Sequence, residues 1–368
     1  MAGSPKIILS ALDWGLGHTT RIIPVARELA LRNVHIVLAG TRKQLQVWSE
    51  DLPGHSQIEL PGYGVRYGKR LPASWHVLRQ FPRLLSVIKT EHKLISQAVA
   101  ELGIQAIISD NRYGVYAPKI PCVMVMHQFV PPISGPGRLL QPILWKGHQA
   151  FLQPFQEIWV PDHQQQSSLA QSMRFPSIDK PVRYLGWTSR LSGIVPQAPD
   201  FLPPDMPAPD LLCLLSGPEP QRSLLEEVIL NQLPIPGKTC WVVQGLPGHN
   251  RLPRSIPGGV LIPYLDAPAL KFWLPKAHTV LSRSGYSTLM DLASLGIRHI
   301  VLVPTPGQPE QIQLATMLQR QKRAVMVTAK TLRIASLTTR QSEAFGFRTT
   351  AQDSNNVRQV VGQWLRQL

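Results

Sequence analysis

Cysteine is scarce in this chain. Cys122, Cys213 and Cys240 are the only three in 368 residues, far apart and odd in number. No CxxC pair and no Cys/His ligand spacing occurs, which argues against a zinc site or a disulfide framework and fits a reducing compartment. Long apolar runs are missing as well. None reaches the roughly 18 residues that a membrane-crossing helix needs, and the apolar part of the opening "MAGSPKIILSALDWG" is too short for a secretory signal. Together these absences predict a cytoplasmic protein that is still able to sit on the inner face of a membrane. Acidic residues are few: 22 Asp and Glu against 38 Lys and Arg leave a net charge of +16. Such an excess favours anionic partners, namely nucleic acid, anionic lipid headgroups or phosphorylated substrates. No recognisable nucleic-acid module accompanies the charge, so nucleic acid is not expected as a partner. No convincing DxD-like acidic motif is present, and neither a metal nor a cofactor is predicted.

What is present is an alternation of short β-like runs and helical patterns. Strand candidates in the first half are 6–12, 33–40, 105–110, 122–127 and 157–162, with helices predicted over 21–32 and 84–103. Near-continuous apolar strands separated by helices indicate βαβ units around a parallel sheet covered on both faces. The stretch "IVPQAPDFLPPDMPAPD" (194–210) holds six prolines and no periodicity, and reads as an interdomain linker. Beyond it the alternation restarts with strand candidates at 211–217, 239–245, 260–265, 278–285, 299–304 and 323–329. The last segment, 354–368, is an amphipathic helix with Val357, Val360, Val361, Trp364 and Leu365 on one face. The chain is therefore expected to be α/β, with a first domain over 1–193 and a second over 211–350. Two doubly wound domains of this kind predict a ligand cleft lined by strand carboxyl ends.

Three loops stand out at those carboxyl ends. "DWGLGHTTR" follows the first strand; Gly15 and Gly17 permit close ligand approach, and the following helix start suits an anion. The third glycine of a GxGxxG motif is missing, which weakens a dinucleotide-binding reading. In "SRSGYSTLMDLASLG" (282–296), Ser284, Gly285 and the next N–H groups form a candidate diphosphate cradle, with Arg283 beside it as a cation. Asp291 sits about two helical turns after Ser284, suited either to a ribose diol or to plain solvent. In "VPTPGQPEQIQLATMLQ" (303–319), Gln308, Glu310 and Gln311 open a helix, and such side chains match sugar hydroxyls or simply cap a turn.

"GLGH", "LLSGPEPQR", "SRSGYSTLMDLASLG" and "VPTPGQPEQIQLA" occur in one order, and together they resemble the family 28 glycosyltransferases. The resemblance covers most of the second domain; in the first it rests on the glycine loop and the layout. It implies a GT-B architecture of two Rossmann-like domains, with the donor nucleotide on the C-terminal one, the acceptor on the N-terminal one, and a last helix that crosses back to the first. Ser284 and Gly285 would then face the diphosphate, Asp291 (where the family usually has Glu) would hold the ribose, and Gln311 would contact the donor sugar. The backbone of Leu265 would read a uracil edge. Gly217 falls where the family has a glycine-serine turn, from which "GPEP" departs.

The implied chemistry is metal-independent, inverting displacement at the anomeric carbon of a UDP-sugar, and it needs a base and a positive environment for the leaving diphosphate. His18 is the candidate base, since an imidazole titrates near neutral pH. Asp110, ending another first-domain strand, is the candidate orienting carboxylate. A competing role for His18 is hydrogen bonding to the donor diphosphate. Arg21 and Arg283, with helix N-termini, would stand in for a metal. His127, in the family's acceptor-side region, either lines the acceptor or caps a loop.

The acceptor side is basic. Residues 62–93 carry seven Lys and Arg against one Glu, interleaved with Tyr63, Tyr67, Trp75 and Phe81, and no acid occurs from 111 to 156. Residues 137–155 add apolar and basic side chains that suit either an anionic membrane surface and a lipid-linked acceptor, or simple core packing. A nucleotide-sugar hydrolase of the same fold, with water as acceptor, is the alternative reading.

Overall fold

The computed structural model describes residues 4–14, 16–64, 73–127, 141–164, 168–169, 178–246, 252–339, 346–347 and 355–368. The chain divides into two compact units, Met1–Arg190 with Ala351–Leu368, and Leu191–Thr350.

The first unit runs β1 (Lys6–Ala11), α1 (Leu16–Arg21), α2 (Ile23–Ala30), β2 (His35–Gly40), α3 (Arg42–Asp51), β3 (Ser56–Glu59), α4 (Ala73–Leu102), β4 (Ala106–Asp110), β5 (Cys122–Val125), α5 (Gln141–Leu152), β6 (Glu157–Val160) and β7 (Val182–Tyr184). Its strands form a parallel sheet in the order β3-β2-β1-β4-β5-β6-β7. Successive side chains of a strand point to opposite faces. Ile7 and Leu9 of β1 accordingly join one apolar cluster with Ile36, Leu38, Ala106 and Ile108, while Ile8 joins another with Val37, Ala39 and Ile107. Both faces are buried, which is why these strands read as continuous apolar runs.

The second unit runs β8 (Leu211–Leu214), α6 (Gln221–Leu230), β9 (Cys240–Val243), β10 (Arg254–Ile256), β11 (Gly259–Ile262), α7 (Ala267–Trp273), β12 (Thr279–Ser282), α8 (Tyr286–Ser294), β13 (Ile300–Leu302), α9 (Pro309–Arg320), β14 (Val325–Met326) and α10 (Ile334–Thr339). The sheet order is β10-β11-β9-β8-β12-β13-β14, parallel except for the β10–β11 pair. Both units are doubly wound. The strand order reverses at β1/β4 in the first and at β8/β12 in the second, and such switch points are where α/β sheets bind ligands.

After the second unit the chain returns to the first as α11 (Asn355–Leu365). Val357, Val360, Val361 and Trp364 enter the same apolar cluster as Val25, Ala26 and Leu29 of α2. The Trp364 ring meets Trp159 of β6 edge-on, with centroids 5.4 Å apart.

Three local features differ from the sequence pattern. The helix predicted over 21–32 is split after Arg21, because Pro24 at the second position of α2 has no N–H to continue the hydrogen-bond ladder from α1. The edge strands β3, β7 and β10 escape the sequence pattern, since an edge strand carries no continuous apolar run; their residues are exposed or half-buried. The Pro-rich segment 194–210 belongs to the second unit and packs on it. Leu202 is buried, Gln197 N donates to Pro268 O (3.2 Å), and Lys271 Nζ donates to Ile194 O (2.7 Å).

Truncating Trp364 to Ala leaves a large void between α11 and the sheet. The expected loss is about 3–5 kcal/mol of stability by chemical denaturation. A loss below about 1 kcal/mol would show that α11 is not docked in solution.

Candidate active site

At the first switch point β1 leaves the sheet where Leu12 N donates to Asp110 O (2.8 Å). The chain turns through Trp14 into α1; Gly15 lies outside the described residues. His18 and Arg21 are three apart on α1 and so share a face, which points at the last residue of β4. His18 Nδ1 lies 2.9 Å from Asp110 Oδ1, and Arg21 Nε donates to Asp110 Oδ2 (2.5 Å) while Nη2 pairs with Oδ1. Asn111, in the left-handed region at φ 53°, adds a donor from Nδ2 to Oδ1 at 3.1 Å. A guanidinium only donates, so His127 Nδ1, 2.7 Å from Arg21 Nη1, accepts and carries its proton on Nε2 when neutral. His18 Nδ1 is also 2.8 Å from Arg21 Nη2. In the tautomer that donates to Asp110, His18 keeps an unprotonated Nε2, which is the form a general base requires.

Asp110 is fully buried and Arg21 nearly so, whereas the His18 side chain keeps 16% of its surface exposed. Burial raises the Asp110 carboxyl, but Arg21 and then His18 outweigh it and hold the group well below the usual carboxylate range. Burial lowers the His18 imidazole below its ordinary 6.5, and Arg21 adds to that, while Asp110 opposes it. The sequence reading offered Arg21 as a cation for the diphosphate or the acceptor side. Its charge is instead spent on Asp110, which leaves it a positioning residue for His18 and His127.

A second buried network supports the loop and was not read from the sequence. Arg112 Nε donates to Glu91 Oε1 (2.5 Å), Nη1 reaches Gln44 Oε1 (3.3 Å), and Nη2 donates to Pro61 O. Tyr63 Oη donates to Glu91 Oε2 (2.9 Å). Gln44 Nε2 holds Ala11 O and Thr19 Oγ1, and Trp48 Nε1 donates to Thr19 O, so β1 and α1 are fixed from α3. The available signal was Glu91, the one acid in 62–93. Tyr63, expected on a docking surface, is buried here instead, and Phe81 is 43% exposed. Tyr67, the Trp75 side chain and most of 128–145 lie outside the described residues or side chains.

At the second switch point three loops meet. Gly217, after β8, has φ 102°, a conformation open to glycine, so "GPEP" still keeps the turn. Ser284 Oγ donates to Gln311 O (2.8 Å), Gln311 Oε1 accepts from Thr305 N (2.8 Å), and Gln311 Nε2 donates to Gln308 Oε1 (2.5 Å). Gly285 is the N-cap of α8 and Gln308 that of α9, both without a side-chain cap, an arrangement that suits an anion. Asp291 lies further along α8 and Glu310 at the second position of α9. Leu265 is buried just before α7. Arg283 departs from expectation. It is 2% exposed, and its guanidinium donates to Val303 O (3.0 Å), Pro304 O (3.2 Å) and Gln221 O (2.6 Å). It clamps the three loops rather than presenting an open cation, and burial lowers its pKa to about 10, still protonated at neutral pH. Among the described residues no cluster of three His, Cys, Asp or Glu side chains is placed to hold a metal.

Residues 261–359 match the family model for the glycosyltransferase family 28 C-terminal domain. The chain has the GT-B fold, with a family 28 match in its second half. Similar solved structures cover nearly all of the chain. The glycotransferase of kitacinnamycin is 13% identical with a TM-score of 0.62, over 100% of this chain and 96% of that one. MurG of Acinetobacter baumannii is 14% identical with a TM-score of 0.53, over 99% of each chain. VinC, solved in complex with DTDP, is 12% identical with a TM-score of 0.59, over 97% of this chain and 94% of that one. At these identities the likeness concerns the fold, and the family match concerns residues 261–359. No curated protein matches the chain in sequence.

The His18 imidazole is expected to titrate below pH 6.5, read from its C–H resonances by NMR. A midpoint above 6.5 would mean that the Asp110 charge outweighs burial and Arg21. Arg21→Met, which leaves Asp110 buried and unpaired, is expected to cost about 3–5 kcal/mol by denaturant unfolding. A cost under about 1 kcal/mol would show the pair to be incidental.

Proposed function

We propose that this glycosyltransferase moves a sugar from a UDP-sugar to a hydroxyl acceptor, with inversion and without a metal ion. The observation that carries the reading is the His18–Asp110 contact of 2.9 Å at a switch point, backed by the family 28 match over the second unit. The acceptor oxygen forms a bond to the anomeric carbon as its proton passes to His18 Nε2. The bond from that carbon to the diphosphate oxygen breaks, and the nucleoside diphosphate leaves with the electron pair. Asp110 holds the imidazole in the required tautomer and stabilises the imidazolium.

On the donor side, Ser284 and Gly285 bind the diphosphate at the positive end of α8. The buried Arg283 charge adds to that field without touching the leaving group. Asp291 takes the ribose, the Leu265 backbone reads the base, and Gln308, Glu310 and Gln311 bind the sugar. The Gln308–Gln311 amide bond is then exchanged for sugar hydroxyls. Gly17 keeps the opening loop accessible to the donor, and Gly217 does the same at its turn. His127 faces the acceptor. The acceptor is lipid-linked and is met by peripheral contact with an anionic membrane, a reading supported by the charge of +16 and the acid-free stretch 111–156. No helix of the described chain is long and apolar enough to cross a membrane.

Thermal-shift titration with UDP, dTDP and their sugars tests the donor site. A cognate donor at about 100 times its Kd adds ~2.7 kcal/mol of apparent stability. Stabilisation by dTDP alone would replace uracil with thymine, and no shift from any nucleotide would remove the donor assignment. Product analysis with and without a polyprenyl-diphosphate-sugar acceptor separates transfer from hydrolysis; sugar release that needs no acceptor overturns the transferase reading. His18→Ala is expected to lower kcat about 10²–10⁴-fold with unchanged nucleotide affinity. Lost nucleotide affinity would instead assign His18 to the diphosphate.

A further inference from the structure

The carboxyl end of α2 and one face of α11 flank an open pocket of about 470 Å³ lined by Arg32, Arg358, Gln359, Gly362 and Arg366. Arg358, Gly362 and Arg366 follow at intervals of four residues, the last just past the end of α11, so they lie along one face. Arg32 comes from the turn after α2, and its guanidinium lies across Gly362. A Cβ at position 362 would stand 3.0 Å from Arg32 Nη2 and 3.4 Å from Nε. Glycine destabilises a helix interior relative to alanine. At this position it admits an arginine head to the helix surface.

Arg32 is anchored: it pairs with Glu28, and Nη2 donates to Arg358 O (3.1 Å). Glu28 neutralises one of the three charges. Among the described residues Arg358 and Arg366, both exposed, have no carboxylate partner. Arg183 also reaches α11, but it is paired with Glu157 and bonded to Gln363 and Gln367, so it takes no part. Burial lowers the Arg32 pKa, and the Arg358 and Arg366 charges add to the effect. A role for Arg32 in capping α2 accounts for its Nη1 bond to Glu28 O, but not for two further arginines or for the glycine.

Three guanidiniums lining one open pocket, with Glu28 as the one paired carboxylate among the described residues, form a concentration of positive charge that an anion relieves. Their forked donors match phosphate oxygens, two to a fork, and Gln359 adds an amide. The pocket is separate from His18. Helix α2 runs back along the sheet from β1 to the start of β2, so its carboxyl end lies at the edge where strands begin, opposite the strand carboxyl ends. We propose that this pocket binds a phosphate-bearing group through Arg32, Arg358 and Arg366. The chemistry is common to two sources, a free phosphate compound and an anionic lipid headgroup.

The test uses the full chain and R358Q/R366Q, which alters two exposed side chains. Calorimetric titration with inorganic phosphate reads the free ligand. Co-sedimentation with phosphatidylglycerol vesicles against phosphatidylcholine vesicles reads the headgroup. A saturable, salt-sensitive binding component is expected in one of the two arms and is weakened at least about tenfold in the double variant. Phosphate binding assigns a soluble ligand, and binding to phosphatidylglycerol vesicles alone assigns a lipid. Absence of binding in both arms, or equal binding by both proteins, overturns the proposal. Should the double variant melt lower, the single variants R358Q and R366Q are measured instead; each, with a normal melt, must weaken binding, and unchanged binding in both counts against the site.

Discussion

The first unit is organised around one buried carboxylate. Asp110 ends β4 with no access to water, and a bare charge there is not sustainable. Arg21 supplies two donors and His18 and Asn111 complete the set, the first two residues from α1 and the last from the turn after β4. Arg21 closes the short helix α1, and the chain restarts as α2 with Pro24 at its second position. His127 is then aligned by the remaining face of the same guanidinium. His18, Asp110 and His127 are therefore one electrostatic object, whose geometry is set by the cost of burying a charge.

The second unit solves a related problem with the sign reversed. Arg283 is a buried cation, and its bonded partners among the described residues are three backbone carbonyls, two from the segment after β13 and one from the first residue of α6. Gln311 adds a bond to the Thr305 backbone and one to Gln308. The loops after β8, β12 and β13 are thereby held at one sheet edge by polar bonds rather than by apolar packing. Arg283 lies two residues before Gly285, the N-cap of α8, so this edge sets a buried cation beside a helix N-terminus.

Much of this was legible in sequence, and what was not has specific causes. Central strands such as β1, β4 and β12 are buried on both faces, so their apolar runs announce them. Edge strands β3, β7 and β10 pair on one side and need no such run. Arg21 and Arg283 look like free cations because a sequence does not show the acceptors that surround them. Tyr63 looks like a surface aromatic among lysines and arginines until Glu91 and Arg112 are brought to it. The pocket of Arg32, Arg358 and Arg366 joins residues more than 320 positions apart, and no local pattern signals it.

The sequence by itself determined the alternation of apolar strands and amphipathic helices, the glycine turns at the strand ends, and the family 28 character of the second half. Those features are local: each depends on side-chain period or on backbone freedom within a few residues. Only the tertiary structure decided which charges meet. Asp110 and His18 are 92 residues apart and 2.9 Å distant, and once a carboxylate is buried its partners are set by desolvation rather than by nearness along the chain.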